Sequence, residues 1–288
     1  MIRLTDTDLE RMLADDMPYG DLTTRSLGLG DRAATITLRS GADLVVAASE
    51  EAARMLRLLG CEAEVMAASG RRAAWGDLLV RASGPAESIL AGWKVAQTVM
   101  EYAAGIATRA AAIVDAARAA NPDVVVACTR KVFPGTKAIA LKAILAGGAV
   151  PHRLGLSDTV LLFPEHLALL DGMDADAAII ALKRHCPEKK VVIEVTTPED
   201  AERAAASGAD LVQLEKFPVW AVADLAASLK GSPCRIAVAG GVNAANAGAY
   251  AGAGAHVLVT SAPYGAPPLD IKAAIAPAPR NAIESGRA

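Results

Sequence analysis

From Asn121 onward one pattern repeats: the short apolar runs "VVVAC", "TVLLF", "VVIEV", "LVQLE", "IAVAG" and "VLVT" are separated by helical segments such as "TPEDAERAAASG" and "NAANAGAYAGAG". A strand that is apolar at nearly every position needs both faces covered, and strands alternating with helices meet that need in a parallel sheet. Six clear strands and a weak seventh near Val150 predict an α/β barrel, closed or nearly so; an open doubly wound sheet is the alternative.

The first third has a different rhythm. Thr7 and Glu10 have the spacing of a capping box for a first helix with Leu9, Met12 and Leu13 on one face. "TITLRS" and "DLVVAA" flank Gly41 like a hairpin or two consecutive strands. "SEEAARMLRLLG" has a serine cap, an apolar stripe at Met55, Leu56 and Leu59, and a glycine stop. "DLLVRAS" then precedes a helical stretch from about Glu87 to Gly105, which together predict a sheet with helices against it. The tail from "APPLDIKAAIA" onward predicts a last helix followed by a frayed end.

At 288 residues, 53% hydrophobic and 21% charged, the chain can bury a sizeable core. A net charge of −3 gives no global attraction to nucleic acid or anionic lipid, so neither is expected as a partner and any anion site must be local. Cys61, Cys128, Cys186 and Cys234 are widely spaced, without a CxxC pair, and are expected to be buried thiols rather than disulfides or zinc ligands. The acidic, amphipathic N-terminus is unlike a signal peptide and no apolar run reaches spanning length, so a cytoplasmic protein is expected.

In α/β barrels the chemistry sits at the carboxyl ends of the strands. Here those ends read "CTRK", "FPEH", Glu194, Glu215, Gly240-Gly241 and "TSAPYG". A carboxylate inside an otherwise apolar strand needs a partner or a metal. Glu194 and Glu215 on neighbouring strands could share Mg²⁺ or flank a developing positive charge, the bland alternative being a salt bridge to Arg130 or Lys131. Gly240-Gly241, followed by a helix capped by Asn243, forms either a phosphate cradle or a plain tight turn. Arg130, Lys131, His152 and Arg153 make a cluster of up to four cations suited to carboxylate or pyrophosphate. A Schiff-base role for Lys131 is a minor alternative, because such a lysine needs a desolvated site.

The stretches "TRKVFPGTKA", "GGAVPHRLGLSD", "IEVTTPEDAERA" and "LVQLEKFPVW", with the final Gly-Gly, "PYGDLTT" and "GIAT", resemble in order and spacing the quinolinate phosphoribosyltransferase family, also called nicotinate-nucleotide pyrophosphorylase (carboxylating). Within it "TRKVFPGTKA" together with "GGAVPHRLGLSDTVLLFPEH" is most similar to the ModD branch, linked by name to molybdenum transport. The resemblance implies an α/β class chain with an N-terminal α/β sandwich domain (residues 1–107), a TIM-like (β/α) barrel of six or seven strands (108–270), and a tail (271–288) returning to the N-terminal domain. It implies a homodimer in which the partner's N-terminal domain completes each site. The implied chemistry is transfer of ribosyl 5-phosphate from phosphoribosyl pyrophosphate to a ring nitrogen, with Mg²⁺. Arg130, His152 and Arg153 would hold the acceptor carboxylate and Lys131 would contact pyrophosphate or ribose. Glu194 and Glu215 would engage Mg²⁺ and the ribose hydroxyls, and Gly240, Gly241 and Ser261 would cradle the 5-phosphate.

The departures fall mainly on the acceptor side. Lys94 replaces the family's arginine in its "ER-x-x-LN" helix, a point charge in place of a fork. Phe163 stands where the family's "KDNH" stretch has lysine, Ala239 replaces a serine before the glycine pair, and Glu215 replaces an aspartate. Losing one charge-assisted hydrogen bond costs roughly 1.5–3 kcal/mol. Quinolinate, a dicarboxylate, is therefore expected to bind poorly, and the acceptor to be a monoacid or a ring that stacks on Phe163. The competing expectation is a catalytically retired scaffold that binds an oxyanion or nucleotide.

Overall fold

The computed structural model describes residues 2–279. In chain order its first elements are α1 (Asp6–Asp16), α2 (Leu22–Ser26), β1 (Ala33–Ser40), β2 (Leu44–Val45), α3 (Ser49–Leu58), β3 (Glu62–Val65), β4 (Arg72–Ala73), β5 (Leu78–Pro85) and α4 (Ala86–Ala120). Then come β6 (Val125–Cys128), α5 (Lys137–Ala146), β7 (Val150–Pro151), β8 (Val160–Leu162), α6 (Pro164–Leu167), α7 (Ala175–His185) and β9 (Val191–Val195). The last are α8 (Pro198–Ala206), β10 (Leu211–Glu215), α9 (Val219–Ser228), β11 (Arg235–Ala239), α10 (Ala247–Gly252), β12 (Val257–Thr260) and β13 (Ile271–Pro277). The chain divides into two units: the described residues up to Thr108 with Pro134–Gly147 and the described residues from Ala266, and Arg109–Phe133 with Gly148–Gly265.

The first unit is an antiparallel sheet in the order β13-β1-β5-β3, with β2-β4 as a separate pair and helices against it. Leu9, Ile36, Leu38, Met55, Leu56, Leu79 and Ile89 are fully buried in its core; each such side chain contributes about 1.5–3 kcal/mol on burial. Several local expectations are corrected. The capping box of α1 is Thr5 with Asp8, not Thr7 with Glu10: Thr5 Oγ1 accepts from the Asp8 N–H at 3.2 Å and the Asp8 carboxylate accepts from the Thr5 N–H at 2.9 Å. Ser49 does not cap α3; the N-cap is Ala48, in the left-handed region at φ 61°. β1 and β2 are the consecutive strands expected but not the alternative hairpin, since β1 pairs with β5 and β13 while β2 pairs with β4.

The tail is a strand where a helix was expected. Residues Ile271 to Pro277 pair antiparallel with Ser40 to Ala34, because the unpaired edge of β1 offers a ladder of backbone partners that outweighs the helix propensity of "KAAIA". The expected frayed end, residues 280–288, lies outside the described residues. The helix expected to stop near Gly105 continues as the 35-residue α4. Gly105 serves close approach instead: a Cβ there would lie 2.2 Å from the Pro267 carbonyl oxygen.

The second unit holds seven parallel strands in the order β7-β6-β12-β11-β10-β9-β8. That is the cyclic order of a barrel with one seam open, a partial barrel rather than a closed one. Among the described residues no ladder joins β7 to β8. β7 is two residues long and ends on Pro151, which has no N–H to give a neighbouring strand.

Candidate active site

Side chains alternate between the two faces of each strand, and here the alternation divides helix-packing residues from site residues. Val212, Leu214, Val238 and Leu258 are fully buried. The intervening positions, Gln213 and Glu215 of β10, Ala239 of β11 and Val259 of β12, line a cavity of about 400 Å³ at the carboxyl ends of the strands. Ala237, Ala239 and Val259 form a small buried apolar cluster, of which Ala239 and Val259 also line the cavity.

The acidic wall is built by strand register. Glu194 of β9 lies opposite Gln213 of β10, whose Nε2 donates to Glu194 Oε2 at 2.7 Å. Burial pushes the Glu194 carboxyl above the ordinary range; the Gln213 amide draws it back, Glu215 and Glu165 add to the rise, and Lys131 opposes it. Among the described residues neither Glu194 nor Glu215 forms an ion pair with Arg130 or Lys131, so the bland salt-bridge reading does not hold.

The cationic wall follows β6 and β7. Thr129 N–H donates to the Thr260 carbonyl of β12 at 2.9 Å, His152 N–H to the Cys128 carbonyl at 2.8 Å, and Lys131 N–H to Thr129 Oγ1 at 3.2 Å. Burial, reinforced by Arg153, lowers the His152 pKa and favours the neutral ring, so the expected set of four cations reduces to three. Arg153 is only 7% exposed. Its guanidinium carbon lies 5.7 Å from the Phe163 ring centre, within cation–π range. Phe163 in turn stacks on His166, with centroids 5.9 Å apart, and donates its N–H to His166 Nδ1 at 3.0 Å. A second cleft, of about 670 Å³, runs along β8 and shares Arg130, Arg153, Leu161 and Phe163 with the first.

Gly240 and Gly241 have φ of 89° and 88°, a region open to glycine. A Cβ on Gly240 would lie 2.9 Å from Glu215 Oε1 and 3.0 Å from the Lys216 backbone nitrogen, whereas one on Gly241 meets open space. Asn243 is not the helix cap that was expected. The N-cap of the six-residue α10 is Asn246, while Asn243 accepts from the Ala245 N–H at 2.9 Å and donates to the Gly241 carbonyl at 3.0 Å, closing the loop on itself.

Arg130, Lys131, His152, Arg153, Phe163, Glu194, Glu215, Gly240, Gly241 and Ser261 all line the cavity. Lys94 does not; it lies on α4 in the first unit, donates to Gln97 Oε1 at 2.8 Å and sits 4.2 Å from the Trp93 ring centre. Lys131 is exposed, unlike the desolvated lysine of a Schiff-base enzyme. Of the cysteines, Cys61, Cys128 and Cys234 are buried, but Cys186 is partly exposed. Burial pushes the Cys128 thiol up to about 12, so it is held protonated. Sequence reasoning passed over Gln213, although a lone amide two residues before Glu215 in "LVQLE" had to share its face.

Among the described residues no group of three His, Cys, Asp or Glu side chains forms a closed metal cage. Two carboxylates beside the buried, unpartnered Oε1 of Gln213 are nonetheless hard oxygen donors. They suit Mg²⁺, which is commonly held by one or two carboxylates together with substrate phosphates.

Family models match both parts of the chain: the quinolinate phosphoribosyl transferase N-terminal domain over residues 21–104 and the C-terminal domain over 106–274. The chain therefore belongs to the quinolinate phosphoribosyl transferase family. It is 53% identical over 250 residues to the "Putative pyrophosphorylase ModD" of Rhodobacter capsulatus, covering 86% of this chain and 96% of that one. It is 34% identical over 200 residues to a probable carboxylating nicotinate-nucleotide pyrophosphorylase of Archaeoglobus fulgidus, covering 68% and 76%. The crystal structure of NadC from Streptococcus pyogenes shares the fold, with a TM-score of 0.89 at 24% identity over 97% of this chain and 100% of the other. The chain is thus a ModD-like member of a pyrophosphorylase family.

Proposed function

We propose that this protein transfers ribosyl 5-phosphate from phosphoribosyl pyrophosphate to a ring nitrogen of a heterocyclic acid other than quinolinate, releasing pyrophosphate. The observation that carries the acceptor choice is the Arg153–Phe163 contact at 5.7 Å, at the position where the family's motif has a lysine. A dicarboxylate finds one fewer cation there, while a flat ring finds an aromatic face.

The reaction breaks the C1–pyrophosphate bond, forms a C1–nitrogen bond and passes through a pentose with developing positive charge. Glu194 and Glu215 face that charge and stabilise it electrostatically. Arg130 and Arg153 hold the acceptor carboxylate, the neutral His152 contributes a hydrogen bond, and Lys131 holds the leaving pyrophosphate. The backbone at Gly240 and Gly241, with Ser261, accommodates the 5-phosphate. Mg²⁺, held by Glu194, Glu215 and the substrate, would offset the charge of the pyrophosphate. A homodimer brings Lys94 of a second copy to the acceptor, and the adjoining cleft gives an acceptor room beyond a single pyridine ring. An association with molybdenum transport rests on the ModD likeness alone.

The test is pyrophosphate release from phosphoribosyl pyrophosphate and Mg²⁺ with nicotinate, quinolinate and a panel of other nitrogen heterocycles, using Glu215→Ala as the blank. Release with one acceptor and its loss in the variant is expected. Brisk turnover of quinolinate would refute the acceptor choice. Absence of phosphoribosyl pyrophosphate binding would refute the transferase and favour a retired anion-binding scaffold.

A further inference from the structure

Gln213 is 4% exposed in the middle of β10. Its Nε2 donates to Glu194 Oε2 at 2.7 Å, while its Oε1 is buried with no hydrogen-bond partner. The orientation of the amide follows from its neighbour. An ionised carboxylate only accepts, so the NH₂ end must face Glu194 and the carbonyl end must face the interior. Ala237, opposite Gln213 on β11, is fully buried and offers it no side-chain donor. An unsatisfied buried acceptor is costly, and an apolar side chain of the same length would avoid it. Stability alone gives no reason for an amide here.

We infer that Gln213 is a positioning residue for the pentose-binding carboxylate, its amide fixing one oxygen of Glu194 so that the other is presented to the ligand. Glu194 sits on an open cavity wall and has no other side-chain hydrogen bond among the described residues, so without Gln213 its carboxylate is free to turn. The inference rests on the phosphoribosyl reading of this site, and its test separates the two.

In Gln213→Met, a near-isostere lacking both polar ends, the midpoint of thermal unfolding should stay level or rise. Affinity for phosphoribosyl pyrophosphate with Mg²⁺, measured by calorimetry, should fall about tenfold, as for loss of a hydrogen bond to a charged group. Affinity for inorganic pyrophosphate measured without Mg²⁺ should not change. Because Gln213 acts through Glu194, Gln213→Met should cost nothing further in a Glu194→Ala background. A midpoint that drops together with affinity for both ligands would make Gln213 a packing residue and overturn the inference. So would an equal loss in the Glu194→Ala background, or no loss of phosphoribosyl pyrophosphate affinity when Gln213→Met is made in the otherwise unaltered protein. Failure of the unaltered protein to bind phosphoribosyl pyrophosphate overturns the transferase reading and this inference with it; binding that Gln213→Met leaves intact overturns the inference alone.

Discussion

Phe163→Lys should trade stability for affinity toward a dicarboxylate. The Phe163 ring lies 5.7 Å from the Arg153 guanidinium carbon and stacks on His166 at 5.9 Å. An ammonium placed where the ring now sits would be about 6 Å from a guanidinium buried by its surroundings. At an effective dielectric of about 20 that repulsion is about 3 kcal/mol, and losing the cation–π contact adds about 0.5–1 kcal/mol. A lysine can swing partly into solvent, so a net loss of about 2 kcal/mol is expected, read as a midpoint about 5 °C lower in a thermal melt.

Quinolinate reverses the sign of that term, because a dianion shared by two cations relieves their repulsion and gains a charge-assisted hydrogen bond of roughly 1.5–3 kcal/mol. The quinolinate dissociation constant should therefore fall by about tenfold to a hundredfold, and quinolinate should recover most of the lost melting temperature. Phe163→Leu is the control, removing the ring without adding a charge; it should lose stability and gain no quinolinate affinity. Unchanged quinolinate binding in Phe163→Lys, or an equal gain in Phe163→Leu, would refute the assignment of this position to acceptor choice.

Glu194→Gln should abolish transfer while stabilising the fold. The Glu194 pKa is raised from 4.5 on folding, so protonation favours the native state and that contribution is lost as pH rises through the folded value; the variant's advantage in melting temperature should grow from acid to neutral pH. The His152 pKa is lowered from 6.5, so its contribution is present above that value and lost as pH falls through the folded value. His152→Gln should accordingly show a shallower loss of melting temperature on acidification below neutral. Gly240→Ala and Gly241→Ala each impose about 1–2 kcal/mol of left-handed backbone strain, but Gly240→Ala also pushes on Glu215 and Lys216. Urea unfolding should show Gly240→Ala to be the less stable of the two by about 1 kcal/mol.

The strands of the second unit were legible because a run apolar on both faces has few other uses, and Glu194 and Glu215 because a carboxylate inside such a run must be explained. What escaped depends on neighbours distant in sequence. β13 reads as a helix until the free edge of β1 is seen; Gly105 reads as a stop until Pro267 is seen against it; the open seam depends on how little β7 offers its neighbour. Gln213 was hidden because its meaning lies across the sheet, in Glu194.

His152 shows the same limit in its charge, with a consequence for the acceptor. Counted along the chain it is a fourth cation, yet burial beside Arg153 favours its neutral form. Phe163 contributes no charge either, and Arg153 already has an aromatic ring against its guanidinium. Of this chain's own residues, the cavity wall proposed to face the acceptor therefore keeps two guanidinium groups, Arg130 and Arg153, and a neutral imidazole. Two forks and a hydrogen-bonding ring are enough to hold one carboxylate bidentately, whereas a second carboxylate directed at Phe163 would be desolvated against the ring where the family's motif supplies a lysine. On the proposed transferase reading, the local balance of charge thus favours a monoacid with a flat apolar face.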